Sequence, residues 1–369
     1  MENTEKGKNW PVGTGEKFFK ERAKERLPAL EVKNTVTWVN PAFKEAPFRL
    51  KLGKPTDLGI FFTPQPEEYP EEKVRKPIIM REWGKGRSGL LGSAVFRDKE
   101  SRLYRDVDVK GIGVFQRNPT AVLDVQPKSG EHAHEAFGLM DDDYARIDRN
   151  NSEKFLKAGI RTHRVVAISD LEEIIDAEGK KISIAEGKRR GIIPPEMNPV
   201  VQVRAFGTKE RIGYLRDFGG PARQTVLDDA KALVAQEQSR DPGNFSMGEY
   251  LKWFAEALGV QVAKMRKLKV FHGYLTGHNI TLDCRIVDLD SVKPIGVARL
   301  FRDEALKINT TYEQLYENDK VDARFSLESM LIEALGGSVA RGHFVELFEA
   351  AYERELDTKR KRGLRNQGG

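Results

Sequence analysis

The stretch from Val270 to Ser291, VFHGYLTGHNITLDCRIVDLDS, follows a long run of helical periodicity and reads as two short apolar strands joined by a turn. Asn279 ends the polar part of the first strand, and Asp288, between Val287 and Leu289, follows it by nine residues. Two oxygen donors on adjacent strands of this kind can converge on one hard divalent cation. His272 and Gly273 come first, with Tyr274 after them. A phenol titrates near pH ~10 and is a poor base at neutral pH. His278, next to Asn279, has the near-neutral imidazole that suits a proton acceptor, and it equally suits a polar supporting role.

The texture on either side of this hairpin differs. From Met1 to about Glu72 the chain is rich in charge and Pro, with one helical candidate at Lys17 to Leu30 and a turn-rich Phe61 to Glu72, and it reads as an extension over residues 1–75 wrapping the next domain. Residues 76–218 carry short apolar or β-branched runs, Gly89 to Phe96, Asp106 to Val109, Arg164 to Ser169 and Val200 to Phe206, with one helix at Asn151 to Ala158 stopped by Gly159. That pattern predicts a twisted antiparallel sheet. Residues 219–358 turn helical: Thr225 to Gln238, Met247 to Leu268 behind a Ser246 cap, Ser326 to Leu335 broken at Gly336-Gly337, and Phe344 to Leu356. Residues 359–369 form a basic tail. The expected class is α+β, a sheet lobe followed by a helical lobe.

Composition narrows the function classes. With 62 basic and 56 acidic residues the net charge is +6, and much of the excess lies in Lys359 to Arg362 and near Lys17 to Arg26, which argues for solvated ends and against a nucleic-acid partner. At 39% hydrophobic content, 369 residues can build a sizeable core. The single cysteine, Cys284, lies in an apolar strand and reads as packing, in keeping with a reducing cytoplasm. No run approaches the ~18 apolar residues of a membrane span, and no signal-peptide core follows Met1.

Further motifs each admit two readings. Gly84, Lys85, Gly86 and Arg87 ahead of Gly89 to Gly92 suit phosphate cradling by backbone amides, or a hairpin turn. Lys110 ends a strand and can reach a phosphate if a carboxylate, Asp148 or Glu153, holds it; a solvent-facing lysine would look the same. Arg204 and Arg211, in VVQVRAFGTKERIGYLRDF, suit a guanidinium clamp on polyphosphate, or a pair of surface salt bridges. His132 and His134 alternate in EHAHE, but two ligands do not make a metal site. Asp283 and Asp290 are fallback bases near the hairpin.

The order and spacing of these pieces resemble the selenoprotein O family of kinase-like protein adenylyltransferases. The matching segments are GKGRSGLLG at Gly84 to Gly92, DVKGIG at Asp108 to Gly113, SEKFLKAGIRTHRVVAI at Ser152 to Ile168, VRAFGTKERIGYL at Val203 to Leu215 and HGYLTGHNITLDCRIVD at His272 to Asp288. The resemblance covers roughly Arg81 to Leu364. It implies a two-lobe protein-kinase-like fold that uses ATP with magnesium, or manganese in its place, to move AMP onto a hydroxyl acceptor on a protein or small molecule. Gly84 to Arg87, Lys110, Arg204 and Arg211 would then hold phosphates, Asn279 and Asp288 the metal, and His278 the acceptor proton. Asp148 falls where the family has its helix Glu. His278 replaces the family's Asp before the metal Asn, and the chain stops near where the family's redox-active tail begins, so regulation through such a tail is not expected. Phosphoryl transfer and an inactive ATP-binding scaffold are the rival expectations.

Overall fold

The computed structural model describes residues 27–43, 50–77, 85–116, 138–294, 312–336 and 341–365. These divide into two units, Met1–Arg149 with Arg164–Gly207, and Asn150–His163 with Thr208–Gly369. The class is α+β with antiparallel sheets.

The first unit opens with β1 (Ala29–Glu31), β2 (Asn34–Val39), β3 (Ile60–Phe62) and β4 (Val74–Arg75), followed by the long β5 (Lys85–Arg97) and β6 (Leu103–Gln116). Next come β7 (Met140–Asp141), helix α1 (Asp142–Lys157), whose residues from Asn150 on belong to the second unit, β8 (Arg164–Leu171), β9 (Glu173–Ile175), β10 (Lys181–Ser183), the short α2 (Ile184–Arg189) and β11 (Pro199–Phe206). The principal sheet runs β2-β8-β11-β6-β5, with β7 against β11, and β1 pairs with β3 and β4 in a smaller sheet. Alternation along the strands separates two faces. Val107, Val109, Val201, Val203 and Ala205 join Leu30 and Phe61 in a continuous core. Asp106, Asp108, Lys110, Gln202 and Arg204, at the intervening positions, are also buried. Met140, Ala145, Val165, Ile168 and Val200 form a second apolar cluster where α1 packs on the sheet. At Gly111 (φ +93°) an added Cβ would lie 2.4 Å from the Val200 carbonyl, so the strand can bend there only as glycine.

The second unit contains α3 (Gly220–Glu237), α4 (Met247–Lys267), β12 (Val270–Phe271), β13 (Lys293–Pro294), α5 (Tyr312–Leu335) and α6 (Arg341–Arg365). Ser246 caps α4 reciprocally: the Glu249 N–H donates to Ser246 Oγ at 3.2 Å and the Ser246 N–H to Glu249 Oε2 at 2.9 Å. Gly259 lets α6 approach α4 so closely that a Cβ would stand 2.3 Å from the Phe348 carbonyl.

Several boundaries differ from the sequence reading. Helix α1 starts at Asp142 instead of Asn151, so Asp148 lies inside it; the added part buries only Ala145 and Asp148, small or polar residues that mask the apolar period. For the same reason α5 begins at Tyr312, fourteen residues before Ser326, with Asp319 at a buried position. Ala29 and Leu30 are strand and not helix, and β2, in the segment read as a wrapping extension, is part of the principal sheet. The glycine cluster is no hairpin turn: Lys85 to Gly92 lies within β5, and Gly84 lies outside the described residues. Lys359 to Arg362 continue α6 as helix. Gly159 (φ +71°) and Gly336 (φ +66°) do stand just past their helices. Among the described residues no helix is long and apolar enough to cross a membrane.

Candidate functional site

In the second unit, the hairpin after β12 is held by backbone pairing on both sides. Ile280 bridges Ile286, the Thr281 N–H donates to the Arg285 carbonyl at 2.9 Å, and the Val287 N–H donates to the Asn279 carbonyl at 3.0 Å. The segment 210–213 lies along the first arm, through Leu282 N–H to Glu210 O (2.8 Å), Ile212 N–H to Ile280 O (3.0 Å) and Gly213 N–H to Gly277 O (2.8 Å). Thr162 bridges Ile286 on the second arm. Asn279 thus faces Val287, the residue before Asp288, across the hairpin.

Arg211 and Asp288 meet at this hairpin. Arg211, nearly buried, donates from Nη1 to the His278 carbonyl at 2.5 Å and faces Asp288 Oδ2 at 3.4 Å. Gly213 presses its backbone on the His278 ring, where a Cβ would meet Cε1 and Nδ1 at 2.6 Å. Asn279 gives its amide nitrogen to the Tyr274 carbonyl at 2.8 Å, which turns its Oδ1 away from that contact. Asp288 has left-handed backbone (φ 58°, ψ 53°), uncommon for a residue with a Cβ, and such backbone concentrates at functional sites. Its carbonyl accepts from Ser291 Oγ at 2.8 Å, and Ser291 Oγ lies 3.2 Å from His272 Nδ1, while His272 Nε2 meets the Val287 carbonyl at 2.8 Å. His272 therefore supports the Asp288 turn. Tyr274 points outward, 65% exposed.

The hairpin is anchored beneath by charge. Asp283 accepts from Arg285 Nε at 2.6 Å and from Thr281 Oγ1 at 2.5 Å, Arg285 also reaches Glu237 at 2.8 Å, and Arg161 pairs with Glu237. Asp283 is thus engaged within the fold, which argues against its service as a base. On the other flank Asp319 of α5 accepts the N–H groups of His272 (2.6 Å) and Gly273 (2.9 Å); burial raises its carboxyl above the ordinary range, against the opposing pull of His272 and these N–H groups. Cys284 is fully buried and its thiol is pushed up to about 12, so it is packing and no nucleophile.

In the first unit Lys110 sits between Ser88 of β5 and Gln202 of β11, all three buried. Gln202 Nε2 donates to the Ala145 carbonyl of α1 at 3.1 Å, and Asp148, buried, follows three residues later on that helix. Asp148 is thereby on the turn of α1 next to the strand position paired with Lys110; Glu153 is half-buried and belongs to the second unit. Arg204 is no surface salt bridge: its Nε and Nη2 donate to the two oxygens of Asp108 at 2.9 and 2.7 Å, in a pair at most 1% exposed. Arg204 and Arg211 fall in different units. Of the basic cluster at 84–87, Lys85 to Arg87 are in β5; His132 and His134 lie outside the described residues.

The buried pairing of Asp108 with Arg204, the role of Asp319 and the Asp283–Arg285–Glu237–Arg161 network escaped the sequence reading. The alternation Asp106-Val-Asp108-Val-Lys110 did carry a signal, a charged face opposite a valine face, whereas nothing local marks Asp319 or Glu237.

No family model matches the chain, and no curated protein matches it.

The donor chemistry bears on magnesium. Asp288 and Asn279 provide two oxygens, and among the described residues no cluster of three or more His, Cys, Asp and Glu side chains suits a metal ion. One carboxylate and one amide fit magnesium, which keeps waters and is completed by phosphate oxygens, better than they fit a cation needing an all-protein cage.

Proposed function

We propose that the protein is an ATP- and magnesium-dependent nucleotidyltransferase that moves AMP to a hydroxyl acceptor, its two units corresponding to the lobes of a kinase-like fold. The observation that carries this reading is that His278, Asn279 and Asp288 share one hairpin, against which Arg211 places Nη1 2.5 Å from the His278 backbone carbonyl and 3.4 Å from Asp288 Oδ2. A guanidinium, a proton acceptor and two metal oxygens are the parts that phosphate-ester transfer needs. Asn279 and Asp288 would hold magnesium, which offsets triphosphate charge when bound.

In the proposed reaction the acceptor oxygen attacks the α-phosphorus, the bond from that phosphorus to the bridging oxygen of the β-phosphate breaks, and pyrophosphate leaves. His278 takes the acceptor's proton. Arg211 is assigned to the departing phosphates; Lys110, with Asp148 to orient it, and Arg204 are assigned to phosphate binding in the first unit by the family resemblance. A second reading, a nucleotide-binding scaffold, draws on the Arg211–Asp288 contact, because a guanidinium at 3.4 Å competes with a cation for that carboxylate.

The test is ATP labelled at the α- or the γ-phosphate, incubated with magnesium or manganese and the protein. α-Label on protein, with γ-label released as pyrophosphate, is the expected result, and Asp288→Ala should abolish it. γ-Label on the acceptor would make the protein a phosphotransferase, and binding without either label would favour the scaffold.

A further inference from the structure

Asp288 keeps left-handed backbone (φ 58°, ψ 53°) although it has a Cβ, and such backbone persists only where its surroundings over-determine it. On both sides of it the chain is gripped by one distant segment of the same unit, residues 151–163. Before it, the Ile286 N–H donates to the Arg161 carbonyl at 2.9 Å, and Thr162 Oγ1 donates to the Ile286 carbonyl at 2.6 Å. After it, the Asn151 amide nitrogen donates to the Leu289 carbonyl at 2.8 Å and to the Val292 carbonyl at 3.2 Å. A further bond closes the segment on itself, from Ser152 Oγ to the His163 carbonyl at 2.7 Å.

Asn151 spans the short helical turn Leu289–Ser291 that follows Asp288. An amide nitrogen carries two hydrogens, and here one goes to the first carbonyl of the turn and the other to the carbonyl just beyond it. The turn's own backbone bonds are long, Ser291 N–H to the Asp288 carbonyl at 3.3 Å and Val292 N–H to the Leu289 carbonyl at 3.2 Å, so its shape leans on side chains. Ser291 Oγ supplies one such bond from inside the turn, and Asn151 supplies the pair that fastens it to helix α1. Leu289 and Val292 are buried, so carbonyls deprived of Asn151 are not simply handed to water. Asp288 is the residue at which the hairpin arm and this turn join, and a shift of the turn therefore carries its carboxylate along.

We propose that Asn151 is a positioning residue for the Asp288 carboxylate: it fixes the turn after Asp288 and so sets the affinity for the cation, acting through backbone carbonyls. This rests on the reading of Asp288 as a magnesium ligand, and the metal titration separates the two. The variants are Asn151→Asp, which keeps the shape and loses the donors, and Asn151→Ala, with Lys154→Ala, at an exposed position of the same helix, as control. Mn2+ alone is titrated into each and followed by the loss of its free paramagnetic resonance signal, with Asp288→Asn marking the site. Both Asn151 variants should bind Mn2+ about 10-fold or more weakly, the loss typical of a group that orients a metal ligand. Without metal, their Ser291 and Val292 amides should exchange hydrogen about 10-fold faster. In α-label transfer the magnesium needed for half-maximal rate should rise by a similar factor, while the rate at saturating magnesium stays within about three-fold of the parent. Lys154→Ala should match the parent throughout; circular dichroism checks each fold, and Asn151→Asp carries the test if the alanine variant unfolds.

Mn2+ bound within about two-fold of the parent by both Asn151 variants, while Asp288→Asn loses it, would overturn the proposal and leave the metal reading standing. So would a fall in the rate at saturating magnesium with the magnesium requirement unchanged, since Asn151 would then serve the fold alone. Mn2+ that the parent does not bind, or that Asp288→Asn binds equally well, would remove the metal reading and the proposal together. Mn2+ binding and exchange as expected, with no label transfer from α-labelled ATP, would instead remove the transfer reading and leave the role of Asn151 standing.

Discussion

Asp108→Ala is the perturbation whose cost can best be worked from the structure. Asp108 and Arg204 lie opposite each other on β6 and β11, joined by two charge-assisted bonds of 2.9 and 2.7 Å, and both are essentially removed from water. Deleting the carboxylate leaves a guanidinium buried in the sheet without its two-oxygen partner. Removal of one member of a buried pair costs about 3–5 kcal/mol, far above the 0–1 kcal/mol of a surface bridge. The chain has two units, so the measurement should be local: hydrogen exchange of the β6 and β11 amides alongside urea unfolding followed by circular dichroism. Asp108→Leu combined with Arg204→Met removes both charges at similar volume and should cost less than Asp108→Ala alone, because no ion is stranded. A loss below about 1 kcal/mol for Asp108→Ala, or a double variant whose cost is the sum of the singles, would refute the buried-pair reasoning. The pair also restricts function: with Nε and Nη2 turned to Asp108, a ligand phosphate would meet Arg204 on its Nη1 edge.

Three other outcomes are expected. The Cys284 thiol has its pKa raised from 9.0 to about 12 by burial, so its contribution is complete below pH 9.0, where both states hold the proton, and is lost as pH rises toward 12 and the unfolded thiol ionises first. Urea midpoints should therefore fall less steeply over this window in Cys284→Ala than in the parent protein, and parallel curves would contradict the assignment. Gly259→Ala should cost about 1–3 kcal/mol in urea unfolding, since its Cβ would meet the Phe348 carbonyl at 2.3 Å and α4 and α6 must part; an unchanged midpoint would argue against that packing. Gly213→Ala should displace the His278 ring, so α-label transfer should drop about 10-fold or more with little change in stability, and a rate within two-fold of the parent would remove His278 as proton acceptor.

The elements with clean periodicity were legible in the chain itself. The Val-rich alternation of β6 and β11, the apolar repeat of α4 with its Ser246 cap, and the glycines after α1 and α5 are local signals, because a strand face, a cap or a left-handed stop is set by a few neighbouring residues. The placement of Asn279 against Val287, beside Asp288, was legible too, since a tight hairpin of nine residues leaves few alternatives. What the tertiary structure decided lies where polar residues hold buried positions. The first half of α1 was missed because its core-facing places hold only Ala145 and Asp148, and α5 was read short because Asp319 is at one of its own. Arg204, which from sequence suited a clamp or a surface bridge, became half of a buried pair once β6 delivered Asp108 opposite it. Asp319 reaches the loop at Gly273 from 46 residues along the chain, and Glu237 reaches Arg285 from 48. Hydrophobic burial is written in local patterns because each apolar side chain needs only a face. A buried charge needs a specific partner in space, and the chain can supply it from anywhere.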